Sequence, residues 1–266
     1  MPPVDLKPRL EDIQKRGHDR VLVLVKALPH VGKKHGETVC CAGVTAEGRW
    51  RRQYPVHYRR LETEFSRWNW IEYDWLRPGG EDRRIESRRV QEETIRCYAK
   101  MAQEDRSRFL EKVIVPSCDA AAERGQSLAL IRPRDTRFSW RPKPEKKLLA
   151  EKAAYRRAAS QLSIFDAELA ALEPCPFEFK FDYRTADGRS HQATCADWET
   201  ATTYYRRSKR LGQDAALESM RKTFNEDYPA RGMAFAMGTH SLYPKVWLLV
   251  GVLRLDPPPS QICLAL

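Results

Sequence analysis

Val21-Leu22-Val23-Leu24-Val25 is a continuous apolar run rich in β-branched residues. A run of this kind reads as a strand buried on both faces, so the chain must supply packing material on each side of it. Residues 30–36 follow as a basic turn, and residues 37–44 read as a second strand ended by Ala46-Glu47-Gly48. Residues 49–56 make a third strand, in which Pro55 demands an edge or a bulge. One or two helical turns are expected over 57–68. In residues 70–75, Trp70, Glu72 and Asp74 alternate with Ile71, Tyr73 and Trp75, the pattern of a half-exposed strand. Pro78-Gly79-Gly80 is a turn. Four or five short strands within about seventy residues predict a small barrel or strongly bent sheet, and OB-like and SH3-like barrels both fit.

Beyond residue 90 the pattern changes. Apolar positions at Ile95, Tyr98 and Met101, then at Phe109, Leu110, Val113 and Ile114, predict a helical stretch that Pro116 ends. Residues 127–131 read as a strand, 133–144 as an extended basic linker with three prolines, and 145–172 as a helix free of Gly and Pro. Pro174 and Pro176 mark another boundary. Phe177, Phe179, Phe181 and Tyr183 then alternate with Glu178, Lys180 and Asp182, and Asp187-Gly188 predicts a hairpin returning over 190–195. Helices are expected near 197–210 and 213–227, and a buried strand over 246–255. The fold class is therefore α+β. An N-terminal barrel-like module spans 18–90, a helical middle spans 91–172, and a C-terminal α+β module spans 173–257.

Net charge is +11 over 266 residues, with pI about 9.4. That excess favours a polyanion such as nucleic acid. No apolar run approaches the ~20 residues needed to span a bilayer. The sequence begins Met-Pro-Pro-Val-Asp-Leu-Lys without an apolar signal core, which sets the expectation of a cytoplasmic protein without a membrane partner. Seven scattered cysteines form no C-x-x-C pair, which argues against a disulfide framework and a zinc ribbon and for small core residues.

The densest functional signal is residues 49–60, Arg-Trp-Arg-Arg-Gln-Tyr-Pro-Val-His-Tyr-Arg-Arg. Arginine forks match phosphate oxygens, and aromatic faces stack on bases. Arg49, Arg51, Arg52, Tyr54, Arg59 and Arg60 are candidate nucleic-acid contacts, joined by Arg84 and Arg88 from the charged segment 82–89, with Glu86 to orient one of them. Strand alternation separates Arg49, Arg51 and Gln53 from Trp50, Arg52 and Tyr54. A second signal is His191, Asp197 and Glu199, with His240 from a Gly-Thr-His turn. These residue types suit acid–base chemistry or a divalent metal. Asp197 also stands where a helix N-cap would be.

The ordered segments Lys26 to Pro29, Gly36-Glu-Thr-Val-Cys-Cys-Ala-Gly43, Gly48-Arg-Trp-Arg-Arg-Gln-Tyr-Pro55 on through Arg59, Asp82-x-Arg84-x-Glu86-Ser87, Asp197-Trp198-Glu199, and Phe235-x-x-Gly238-Thr239 with residues 246–252 resemble a widespread, uncharacterised prokaryotic protein family. The resemblance spans most of residues 20–255 and implies one design rather than a fusion. It implies no mechanism. The expected function is nucleic-acid binding, as in a DNA-processing or phage-defence component. Two alternatives stay open: an enzyme acting on nucleic acid or a nucleotide, by metal-assisted hydrolysis or base modification, and an interaction subunit that presents its seven tryptophans to a protein partner.

Overall fold

The structure is a computed structural model, and it describes residues 14–28, 30–32, 36–57, 65–79, 82, 84–162, 173–240 and 243–256. Arg59, Arg60 and the C-terminal end of the expected 145–172 helix lie outside these residues. Strand β1 (Arg16–Lys26) carries the opening apolar run. Its alternation sends Val21 and Val23 into one cluster with Val39, Ile71 and Tyr73, and Leu22 and Leu24 into another with Ala42, Val44 and Leu128. Both faces are buried because each has its own packing layer.

The N-terminal strands continue with β2 (His30–Gly32), β3 (Gly36–Val44), β4 (Trp50–His57), β5 (Asn69–Leu76), β6 (Ser87–Val90) and β7 (Arg96–Lys100). Strand β1 pairs antiparallel with β3 on one side and β5 on the other. β3 pairs with β4, β4 runs parallel to β6, and β6 returns to β5. These five strands close a barrel. β2 extends the hairpin on β3, and β7 adds to β5. Val21, Val23, Val39, Val56, Ile71 and Val90 fill the barrel, each contributing about 1.5–3 kcal/mol through burial. At Gly43 a Cβ would stand 2.3 Å from the Leu22 carbonyl oxygen, so only glycine permits β1 and β3 to approach this closely. Opposite Pro55 the β3–β4 register shifts between Val39 and Cys41, giving the expected bulge.

The middle of the chain is mixed rather than helical. After β7 come α1 (Gln103–Leu110), α2 (Cys118–Glu123), β8 (Leu128–Ile131), β9 (Arg134–Pro142) and α3 (Glu145–Leu162). Residues 96–100 form a strand because edge pairing with β5 outweighs a loose helical spacing; of the residues that suggested a helix, Ile95 is buried against the barrel core and Tyr98 is exposed. The segment expected as a basic linker is strand β9, with Pro142 at its end, where a missing N–H does least harm.

The remaining elements are β10 (Phe177–Arg184), β11 (Ser190–Thr194), α4 (Trp198–Leu211), α5 (Gln213–Lys222), α6 (Tyr228–Arg231), β12 (Met233–Thr239) and β13 (Trp247–Arg254), with a π-helical turn, Thr223–Asp227, before α6. Strands β11-β10-β9 form one sheet and β13-β12-β8 another. The second sheet is the central layer. Leu128, Leu130, Ala234 and Ala236 face Leu22, Leu24 and Trp50 of the barrel. Ala129, Ile131 and Phe235 face the other way, onto Phe138, Phe179, Phe181, Tyr204 and Phe224. The Phe-x-Phe-x-Phe-x-Tyr alternation thus buries all four aromatic rings. The Asp187-Gly188 hairpin forms, with Gly188 at φ 80°. Among the described residues, no helix is long and apolar enough to cross a membrane.

Candidate functional site

Strand alternation splits the arginines of β4 between two environments. Arg51 points into the barrel and Arg52 points out of it. Inside, Asp19 Oδ2 accepts from Arg51 Nε at 3.0 Å and from Arg88 Nε at 3.2 Å. Arg88 is 1% exposed and its guanidinium lies 4.1 Å from the Trp75 ring centroid. Gln53 Nε2 donates to Tyr73 Oη at 3.0 Å beside them. Burial, with Arg51 close by, pulls Arg88 below the ordinary guanidinium range, while burial and the Asp19 carboxylate push the Tyr73 hydroxyl up. Two candidate phosphate contacts, Arg51 and Arg88, thus serve as internal ion-pair partners.

Outside, Arg52 lies on the rim of the barrel where β4 bulges. It is 6% exposed. Its Nη2 donates to the Ser127 carbonyl at 3.1 Å and to Ser127 Oγ at 3.3 Å, and its Nη1 lies 3.8 Å from Cys40 Sγ. Glu86 receives Ser127 N at 2.7 Å and Ser127 Oγ at 2.8 Å, so the serine stands between carboxylate and guanidinium. Arg84 is clamped by Asp82 through Nε at 2.7 Å and Nη2 at 2.8 Å, and its Nη1 donates to the Thr239 carbonyl at 2.9 Å. For Asp82 the cost of burial is outweighed by these arginine bonds, which hold its carboxyl below the usual range. Tyr54, 39% exposed, accepts a 3.4 Å bond from Thr38 Oγ1 next to Cys40. Arg49 sits in the Thr45–Arg49 turn at the start of β4.

The rim draws on four of the sequence segments singled out above: Cys40 from β3, Arg52 and Tyr54 from β4, Asp82, Arg84 and Glu86 ahead of β6, and Gly238 and Thr239 at the end of β12. A Cβ on Gly238 would lie 3.6 Å from Arg52 Nη1, so the two halves of the chain meet here at close range. Ser127 carries no sequence signal of its own. Cys40 had one: alternation with the inward Cys41 places it outward, on the side of Arg52. Burial pushes the Cys41 thiol far up, as befits an inert core residue.

The second candidate group is not drawn together. His191 stacks on Tyr183 at 5.3 Å, with Nε2 3.1 Å from Thr185 Oγ1. Asp197 is the N-cap of α4, accepting from Glu199 N at 3.3 Å, and it also receives Arg67 Nη2 at 2.5 Å, Thr200 Oγ1 at 2.9 Å and Val252 N at 3.3 Å. Glu199 is half-buried in the first turn of that helix. His240 pairs with the Tyr243 ring at 5.4 Å. Among the described residues, no three His, Cys, Asp or Glu side chains are grouped to hold a metal. None of the seven tryptophans is exposed: three are buried and Trp70, Trp140, Trp198 and Trp247 are half-buried.

This is an α+β protein whose barrel and following sheets share one core. Residues 17–115 match a domain of unknown function (DUF8758), and residues 115–264 match a second (DUF8757). The second match covers more than half of the chain, which belongs to the DUF8757 family. No curated protein matches it. The junction at residue 115 falls in the segment expected to be a helical connector. Arg52–Ser127, Glu86–Ser127, Arg84–Thr239 and Arg67–Asp197 all cross from one matched region to the other.

Proposed function

We propose that this protein binds nucleic acid across the barrel rim, and that the barrel is of OB type. In chain order the closed strands run first-second-third-fifth-fourth, with the third and fifth parallel. That order supports the OB reading over the SH3-like one. OB barrels take oligonucleotides on the face of their second and third strands, between the loops that follow the first and fourth. Here those strands are β3 and β4; the connection after the first strand, between Lys26 and Gly36, carries β2, and the one after the fourth joins Leu76 to Ser87. Sheet β13-β12-β8 covers the lower part of that face, which leaves the Cys40–Tyr54–Arg84 rim.

The observation that carries the reading is where the charge lies. Residues 132–157 hold ten Lys or Arg against Asp135, Glu145 and Glu151, most of the net +11. They form β9 and much of α3, and α3 lies against the β2–β3 hairpin, beside the first of those loops. Lys146 and Arg156 are exposed on α3. Exposed basic residues on α3 suit contact with a phosphate backbone, and exposed Tyr54 on the rim suits a stacking platform.

A salt titration with labelled single-stranded DNA, duplex DNA and RNA tests this. Affinity is expected to fall linearly on a log–log plot. Lys146→Ala with Arg156→Ala is expected to shallow the slope by roughly one for each phosphate no longer neutralised. No binding to any of the three at low salt would overturn the reading.

A further inference from the structure

We infer that the rim residues Cys40, Arg52 and Arg84 form a phosphoryl-binding subsite with Arg52 as its buried cation. This rests on the same rim as the nucleic-acid reading, but not on the ligand being a polymer. The argument begins with charge. Arg51 and Arg88 share the Asp19 carboxylate, Arg84 holds Asp82 in two bonds, and Arg67 holds Asp197. Arg52 is buried to the same degree, yet among the described residues it has no ion-pair partner. Its link to the Glu86 carboxylate runs through the Ser127 hydroxyl. A buried guanidinium left without an anion is costly, and its planar fork matches a phosphate bidentately.

One edge of the Arg52 guanidinium is left without an oxygen acceptor from the protein. Arg52 Nε has no hydrogen-bond partner, and Nη1 has only the Cys40 sulfur, a poor acceptor, at 3.8 Å. Cys40 is partly exposed, and its sulfur lies beside Arg52 Nη1. Arg84 already spends two of its nitrogens on Asp82, which fixes the third toward the Thr239 carbonyl. Gly238 lies beside this edge: a Cβ there would crowd Leu128 at 3.2 Å and reach ordinary contact with Arg52 Nη1 at 3.6 Å. A tetrahedral oxyanion fits this set because planar guanidinium edges bind phosphoryl oxygens in pairs. A terminal phosphate, a free nucleotide phosphate and a backbone phosphodiester share that chemistry.

The test is the rate at which iodoacetamide modifies Cys40, read peptide by peptide, with exposed Cys97 as the internal control. The additions are inorganic phosphate, sodium chloride at equal ionic strength, and a single-stranded oligonucleotide. Phosphate is expected to slow Cys40 with a saturable concentration dependence and to leave Cys97 unchanged. Arg52→Met is expected to abolish that protection. Should this variant fail to fold, Cys40→Asp supplies a carboxylate to Arg52. It is expected to melt higher than the wild type in phosphate-free buffer and to show no phosphate heat by calorimetry. Equal protection by chloride and phosphate, or none by phosphate, overturns the inference even if the oligonucleotide binds elsewhere on the rim. Protection by phosphate with no oligonucleotide binding upholds the subsite and removes the polymer reading.

Discussion

The barrel interior and the barrel rim are supplied by neighbouring residues and end in opposite states. Arg51 and Arg52 are adjacent on β4. One enters a closed arrangement with Asp19, Arg88 and Trp75. The other enters an arrangement of a carbonyl, a hydroxyl and a thiol, with no carboxylate beside it. The difference teaches that arginine density in a strand does not by itself mark a binding face. What matters is which arginines the fold has already given an anion. The interior arginines share the Asp19 carboxylate, and Arg52 on the rim reaches a carboxylate only through the Ser127 hydroxyl.

The largest expected effect falls on the interior. Asp19→Asn removes the one carboxylate shared by Arg51 and Arg88 and leaves two buried cations facing each other. Urea unfolding is expected to show a loss of about 3–5 kcal/mol. A loss below about 1 kcal/mol would erase the distinction between the clusters. Glu86→Gln is milder, since it keeps one acceptor for the Ser127 amide and hydroxyl; about 1–2 kcal/mol is expected by the same measurement.

The smallest effect is a pH dependence on the rim. Asp82 has a folded pKa below its ordinary 3.8, so its contribution is complete above that value and is lost as pH falls through the folded one. Asp82→Asn is therefore expected to cost about 1 kcal/mol at neutral pH, with the gap to the wild type closing below about pH 4. A gap that stays constant into acid would mean that the Asp82 carboxylate contributes nothing through its charge.

Much of this is legible in the sequence. The Val21 to Val25 run predicts a strand buried on both faces, Pro55 a bulge, Phe177 to Tyr183 a half-buried strand, and Asp197 an N-cap, because each follows from local periodicity or capping chemistry. Residues 96–100 and 134–142 read as helix and linker but fold as strands, because edge pairing is a tertiary event that spacing does not record. The split of the arginines by face is visible from alternation. Which face is inside is not, since that depends on Asp19 and on a sheet formed more than a hundred residues later. The rim is invisible as a unit for the same reason: Ser127 and Thr239 reach it only through the pairing of β8 with β12.

The most direct measurement compares Arg51→Met with Arg52→Met by urea unfolding in phosphate-free buffer. The expected result is a loss of about 3–5 kcal/mol for Arg51→Met, which strands Asp19 and Arg88, and a smaller loss of about 1–3 kcal/mol for Arg52→Met, which removes the donor to the buried Ser127 carbonyl and hydroxyl but no direct ion pair. Equal losses in the two variants would contradict the division into a closed interior and an open rim.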